Sequence, residues 1–161
     1  MTLEDLVQKA ERGESFRVPP ARMPDYIRWL YTTHRCLHTL FGVRVESVRR
    51  GDIVLSLPLT ADYTNSGGFL YGGVLAAMAD AISLGLIAGV GKSAVTTQLF
   101  MNFVKSHPAS GHVTLHGALR HNGGRLITLR GEIFGEAGEL LADMDIAMTV
   151  VGRLPEVPED W

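Results

Sequence analysis

One carboxylate interrupts the most apolar stretch of the chain. From Phe69 to Val90 nearly every residue is apolar or glycine, and Asp80 is the only charge between Asp62 and Lys92. Burying an ionised carboxylate is costly unless it is paired or hydrogen-bonded. Asp80 is therefore either a structural carboxylate holding a neighbouring backbone group, or a general base or nucleophile whose pKa is tuned by a dry pocket.

A second feature opens the same stretch. Tyr71-Gly72-Gly73 stands where a long helix would begin. The first N–H groups of a helix lack intrahelical partners and carry partial positive charge, and glycines let a ligand approach them closely. Such a helix start can polarise a carbonyl and stabilise an oxyanion, although a Gly-Gly pair also serves simple close packing. Asn65, in the loop before it, can donate to a carbonyl oxygen or orient water; ordinary turn chemistry explains an isolated loop Asn equally well. Thr96 or Thr97, in the strand that follows, could hold water against the carboxylate.

Gly72 and Asp80 are eight residues apart, about 12 Å along a helix axis. Both cannot touch one reacting carbonyl from the same helix. Two such helices meeting antiparallel across a two-fold axis would bring Asp80 of each subunit towards Gly72 of the other. A shared site of this kind predicts a homodimer.

The elements that must position these residues follow from periodicity. Leu3, Leu6, Val7 and Ala10 recur at helical spacing, Arg12-Gly13-Glu14 breaks the pattern, and Pro19-Pro20 bars a helix through that point. A second helix is predicted from Pro24-Asp25 to about Leu40, packing through Tyr26, Trp29, Leu30, Leu37 and Leu40. From Val43 the period becomes alternating, giving strands on either side of Arg50-Gly51-Asp52. The polar, glycine-rich run from Thr60 to Gly68 is a loop, and a long apolar helix occupies residues 72–90. Four more strands are predicted over 95–104, 112–120, 125–134 and 140–151. On strict alternation, Thr97, Leu99, Met101 and Phe103 share one side of the third strand and Thr96, Gln98 and Phe100 the other. The fold class is α+β, a central helix wrapped by about six antiparallel strands. The chain divides into a helical arm (1–41), the main domain (42–152) and a loosely held acidic tail (153–161).

Length and composition agree with one soluble domain. The chain has 161 residues and a net charge of -2, so no basic face favours nucleic acid. Residues 69–90 are long enough to approach a bilayer span, but a charge at the centre and the many small residues point to a buried core helix. The single cysteine, Cys36, excludes a disulfide framework or cysteine-rich zinc site and suits a reducing compartment. The polar, acidic N-terminus does not read as a secretory signal, so the expected location is the cytoplasm. His34 and His38 have a spacing that two metal ligands could use, without an evident third ligand. Ser83 lacks a nucleophile elbow, and Gly67-Gly68 lacks the strand and lysine of a nucleotide-binding loop.

Taken together, Asn65-Ser66-Gly67-Gly68-Phe69-Leu70-Tyr71-Gly72-Gly73 followed by Asp80 resembles the signature of hotdog-fold thioesterases of the phenylacetate-degradation type. Asn65, Gly68, Gly72, Gly73 and Asp80 match in spacing, and the resemblance extends through Thr96 to Phe103 and the closing strands. It implies an acyl-CoA thioesterase with the hotdog fold. Asp80 would be base or nucleophile, Gly72 and Asn65 would polarise the thioester carbonyl, and Thr96 would position the water, with Thr97 as the alternative. The resemblance further implies no metal and no cofactor beyond coenzyme A carried by the substrate, and a homodimer or a dimer of dimers (homotetramer). Gly68, Tyr71 and Gly73 would line the substrate. Lys105, Arg120 and Arg125 are candidates for the coenzyme A phosphates, and Phe69, Leu70, Tyr71 and Met78 for the acyl group. The family's usual histidine is Tyr71 here, a phenol that stays neutral near neutral pH. That departure leaves open an acyl-CoA-binding protein without hydrolysis and, less readily, an enoyl-CoA hydro-lyase.

Overall fold

A computed structural model describes residues 2–33 and 36–161. Helix α1 (Leu3–Glu11) is closed at its start by a capping box in which Thr2 and Asp5 exchange hydrogen bonds. Backbone and hydroxyl of Thr2 both donate to or receive from Asp5, which holds the Asp5 carboxyl below its ordinary range. A 3-10 turn at Pro20–Arg22 feeds helix α2 (Met23–Thr33), and a single helical turn, α3 (Leu37–Leu40), precedes the sheet. The second predicted helix corresponds to α2 and α3, and His34 of the considered metal pair lies outside the described residues.

Six strands follow, all antiparallel: β1 (Arg44–Arg49), β2 (Asp52–Pro58), β3 (Lys92–Phe103), β4 (His112–Asn122), β5 (Leu126–Phe134) and β6 (Leu140–Arg153). Their spatial order is β1-β2-β4-β5-β6-β3. The connection from β2 to β3 carries helix α4 (Gly72–Gly89), which packs on one face of the sheet. Alternate residues of β2, β4, β5 and β6 face the helix and are buried, among them Ile53, Leu55, Leu115, Leu129, Ile133 and Ile146. Gly117 of β4 lets α4 come close: a Cβ there would stand 1.8 Å from Cδ1 of the fully buried Ile82. Though long and apolar enough to cross a bilayer, α4 is the core helix of this fold.

The N-terminal arm belongs to the same core. Met23, Ile27 and Tyr31 on α2 are buried, as are Leu6 and Val18. The Tyr31 hydroxyl donates to the Ala81 carbonyl at 2.7 Å and accepts from the Gly85 N–H at 3.1 Å, tying α2 to the middle of α4. Burial raises the Tyr31 hydroxyl well above its ordinary pKa, so it stays protonated and able to donate. The tail is also held, contrary to the expected loose end. The Val18 N–H donates to the Glu156 carbonyl, Val157 is buried, and the Trp161 indole donates to the last helical carbonyl, Gly89, at 2.7 Å. Apolar tail residues at 157 and 161 outweigh the acidic ones between them.

Substituting Gly117→Ala is expected to destabilise the protein by about 1–3 kcal/mol, because the added methyl overpacks Ile82. The shift of the urea-unfolding midpoint against wild type measures it.

Candidate functional site

Among the described residues the candidate chemistry divides into two groups at different places on α4. The first surrounds the helix start. Asn65 opens a tight loop, and its side-chain oxygen accepts from the Gly67 and Phe69 N–H groups at 2.8 and 3.1 Å. The loop reverses at Gly68, whose φ of +82° suits glycine. With its oxygen committed to the backbone, Asn65 keeps its amide group as a donor. Tyr71 is the N-cap of α4 and gives no side-chain cap to the first turn. The Gly72 and Gly73 N–H groups consequently remain the uncapped donors of the helix.

A cavity of about 290 Å³ lies over this start, lined by Asn65, Gly72, Phe103, Lys105 and His107 among others. A Cβ on Gly72 would meet the Phe103 ring at 3.1 Å, and one on Gly73 would strike the Tyr71 ring at 2.6 Å. Both glycines therefore leave room for aromatic rings that flank the helix start. His107 was not among the residues singled out by sequence. Its Nδ1 lies 2.6 Å from the Pro108 carbonyl and its Nε2 3.8 Å from Glu139, a pairing that the isolated histidine in a loop gave no pattern to find.

The second group lies two turns further along α4. Thr96 of β3 donates to Oδ1 of Asp80 at 2.7 Å. Thr97 instead donates to the Ala147 carbonyl on β6 at 3.0 Å. The cause is a β-bulge: Thr96 pairs with Met148 and Gln98 with Ala147, so Thr97 is the extra residue. The bulge shifts the alternation, putting Thr96 on the helix-facing side with Leu99, Met101 and Phe103. Strict alternation had placed Thr96 on the opposite side from these residues, and the bulge corrects it.

Two expectations are corrected here. Asp80 is exposed on the single subunit rather than sealed in a dry pocket. It belongs to a stripe of accessible residues, Gly73, Ala76, Ala77, Asp80 and Leu84, on one side of an otherwise buried helix. Met78, one of the candidates for the acyl group, points the other way and is fully buried in the core. Phe69 and Tyr71 are exposed, the latter by 56%.

The three candidate cations separate. Lys105 lines the cavity at the helix start. Arg120, beside a bulge in β4, reaches Asp145 at 3.3 Å on the sheet face turned away from α4. Arg125 is exposed in the β4–β5 turn, beside the end of β6.

Residues 67–142 match the family model described as the thioesterase superfamily. No curated protein matches the sequence. Among solved structures, the chain is similar to the Escherichia coli PaaI protein of the phenylacetic acid degradation operon. The two are 21% identical, with a TM-score of 0.74 over 80% of this chain and 96% of that one. It is also similar to a thioesterase from Haemophilus influenzae (21%, TM-score 0.70, 80% and 90% covered). A third is a hypothetical thioesterase with coenzyme A from Streptococcus pneumoniae (24%, TM-score 0.67, 69% and 87% covered).

Replacing Gly73→Ala should push the Tyr71 ring off the helix start and destabilise the fold, and Tyr71→Ala should relieve most of that effect. A double-mutant cycle in chemical denaturation should return a coupling of about 0.5–3 kcal/mol. Simple additivity would mean that the ring does not lie across the glycine.

Proposed function

We propose that this chain is a hotdog-fold thioesterase, of the superfamily whose model matches residues 67–142, and that it hydrolyses an aryl- or short- to medium-chain acyl-CoA to the free acid and coenzyme A. The observation that carries the reading is the Thr96–Asp80 hydrogen bond at 2.7 Å, two helical turns from an uncapped helix start. A carboxylate that holds a strand hydroxyl is suited to hold a water molecule in the same place. In S. pneumoniae, the related protein has been solved with coenzyme A, and variants of it replace an aspartate and a threonine sixteen positions apart. Asp80 and Thr96 have that same separation.

In this reading the Gly72 N–H and the Asn65 amide donate to the thioester oxygen and stabilise the negative charge that grows there. Water, oriented by Thr96, adds to the carbonyl carbon while Asp80 removes its proton. Collapse of the tetrahedral adduct breaks the C–S bond, and the thiolate takes up a proton to leave as coenzyme A. Asp80 could alternatively attack the carbonyl itself, with water cleaving the resulting anhydride. Neither route requires a metal or a cofactor other than the coenzyme A of the substrate. Lys105, at the mouth of the helix-start cavity, is placed to meet a phosphate; Arg125 is the second candidate, and Arg120 remains tied to Asp145. We place the enzyme in the cytoplasm, where acyl-CoA substrates and its exposed free Cys36 are both at home.

About 12 Å separates Gly72 from Asp80 along α4, so we propose that one active site takes its parts from two subunits. Strand β3 supports this. It is an edge strand of twelve residues with Val95, Phe100 and Phe103 exposed, the last two by 55% and 58%. Such an edge invites pairing. Pairing with its own copy across a two-fold axis would bring the accessible stripes of the two α4 helices together antiparallel, Asp80 of one beside Gly72 of the other. A dimer of dimers is the further expectation.

Thiol release from a panel of acyl-CoAs should fall by about 10²–10⁴-fold in Asp80→Asn. Thr96→Ala should lose a smaller factor, and Thr97→Ala should behave as wild type. No release from the wild type on any member, with binding retained, would make the chain an acyl-CoA-binding protein; hydration of an enoyl-CoA without thiol release would make it a hydro-lyase.

Mixing inactive Asp80→Asn with inactive Asn65→Ala should restore activity, because hybrid dimers carry one intact site. If subunit exchange is verified and activity stays absent, the shared site is wrong.

A further inference from the structure

We propose that the N-terminal arm and the C-terminal tail close a chamber for the tail of a straight-chain aliphatic acyl group, and that Leu30 on α2 sets its length limit. The inference rests on the thioesterase reading above and adds the class of acyl group. Leu30 and Leu154, which close the chamber, lie outside the 67–142 match.

The chamber has a volume of about 340 Å³ and is lined by α4 and β3 residues that neighbour Asp80 and Thr96 in sequence. Leu84 follows Asp80 by one turn on the accessible stripe, and Ala94 precedes Thr96 by two residues on the same strand. Ile87 and Met148 also line it, together with Leu30 from the arm and Leu154 from the tail. From Asp80 to Ala88 the helix rises about 12 Å, the reach of a medium-length chain whose carbonyl stays at Asp80.

Three of the four polar side chains on the lining have protein partners, and the fourth, Ser93, is exposed on β3. The Ser83 hydroxyl donates to the Asp80 carbonyl at 2.6 Å. The Lys92 ammonium is turned to the β4–β5 turn, where it donates to Asn122 and to the Gly123 carbonyl at 2.8 Å, leaving its aliphatic stem towards the chamber. Tyr26 has its hydroxyl directed at Glu156 at 3.4 Å. Apart from the exposed Ser93, these side chains are taken up by protein partners, so a ring hydroxyl or a terminal carboxylate held deep in the chamber would be poorly paired. An unsubstituted hydrocarbon tail loses nothing by entering.

The arm is fixed enough to measure length. Tyr31, one residue after Leu30, is hydrogen-bonded to α4 at two points, and Ile27, one turn before it, is fully buried. Leu30 is thus presented to the chamber from a helix that cannot readily retreat.

The test is kcat/KM for thiol release over straight-chain acyl-CoAs from acetyl to palmitoyl, with phenylacetyl-CoA included. In wild type, each methylene that enters the chamber should raise kcat/KM about three- to fourfold, up to a medium-chain optimum. Leu30→Trp should lower the decanoyl-to-butyryl ratio at least tenfold, and Leu30→Ala should move the optimum to longer chains. Arg28→Ala, on the exposed side of α2, should leave the profile in place. Calorimetric dissociation constants for thioether analogues of the same chain lengths give a readout independent of turnover. If thiol is released but neither Leu30 variant shifts the profile, or phenylacetyl-CoA exceeds every aliphatic substrate, the chamber assignment is overturned and the thioesterase reading stands. If no thiol is released but analogue affinity follows chain length and shifts with Leu30, only the thioesterase reading fails. Affinity indifferent to chain length in the absence of turnover would overturn both.

Discussion

A single antiparallel sheet has one inner face, and a helix apolar on nearly every side has more surface than that face can cover. Helix α4 resolves this by taking a second layer, α2, across its back, where Met23, Ile27 and Tyr31 are buried against it. Trp161 then closes its C-terminal end. What is left is one narrow strip, and the only charged residue of the helix lies on it. The rest of the structure depends on this arithmetic of coverage. Burial of three sides fixes the rotation of the helix, and that rotation decides that Asp80 meets β3 instead of the core.

The strip also gives an account of why a chain of this kind would assemble. Exposed Phe100 and Phe103 beside a row of unpaired backbone groups on β3 are an unfavourable surface for a lone subunit. Covering them with a second copy would at once exclude water from Asp80, bury the strip and complete the site. Low dielectric would then act where an exposed carboxylate has none of it, strengthening every hydrogen bond to the reacting carbonyl. In that account catalysis and assembly draw on one surface.

Tyr71 shows how a local departure is accommodated. The phenol at position 71 is bulky, and the structure lays its ring across Gly73, where any Cβ would collide. The helix start stays open to a ligand because the ring turns along the surface and the Gly72 and Gly73 N–H groups stay uncapped. Polarisation of a carbonyl by backbone donors needs no proton from residue 71, which is why the substitution is compatible with the proposed chemistry.

Much of this was legible in the amino-acid order. The loop from Asn65, the glycines at the helix start and Asp80 lie within sixteen residues of one another, so their relation is set by local turn and helix geometry that spacing encodes. The same holds for the strands, whose alternation is unbroken in β2 and β5 and interrupted only by local bulges in the others. The Thr96 or Thr97 ambiguity was different in kind. A bulge arises from pairing with β6, about fifty residues away, and no feature of Thr96-Thr97-Gln98 specifies which residue is extra. The exposure of Asp80, the burial of Met78 and the seating of arm and tail on α4 likewise depend on which sides of the helix other elements cover. Short-range periodicity and backbone geometry were enough to read most of the elements and the candidate chemistry from the order of residues. Which side chains meet is not legible there, because contact between distant segments is a matter of register and rotation, and these are settled by packing the whole core at once.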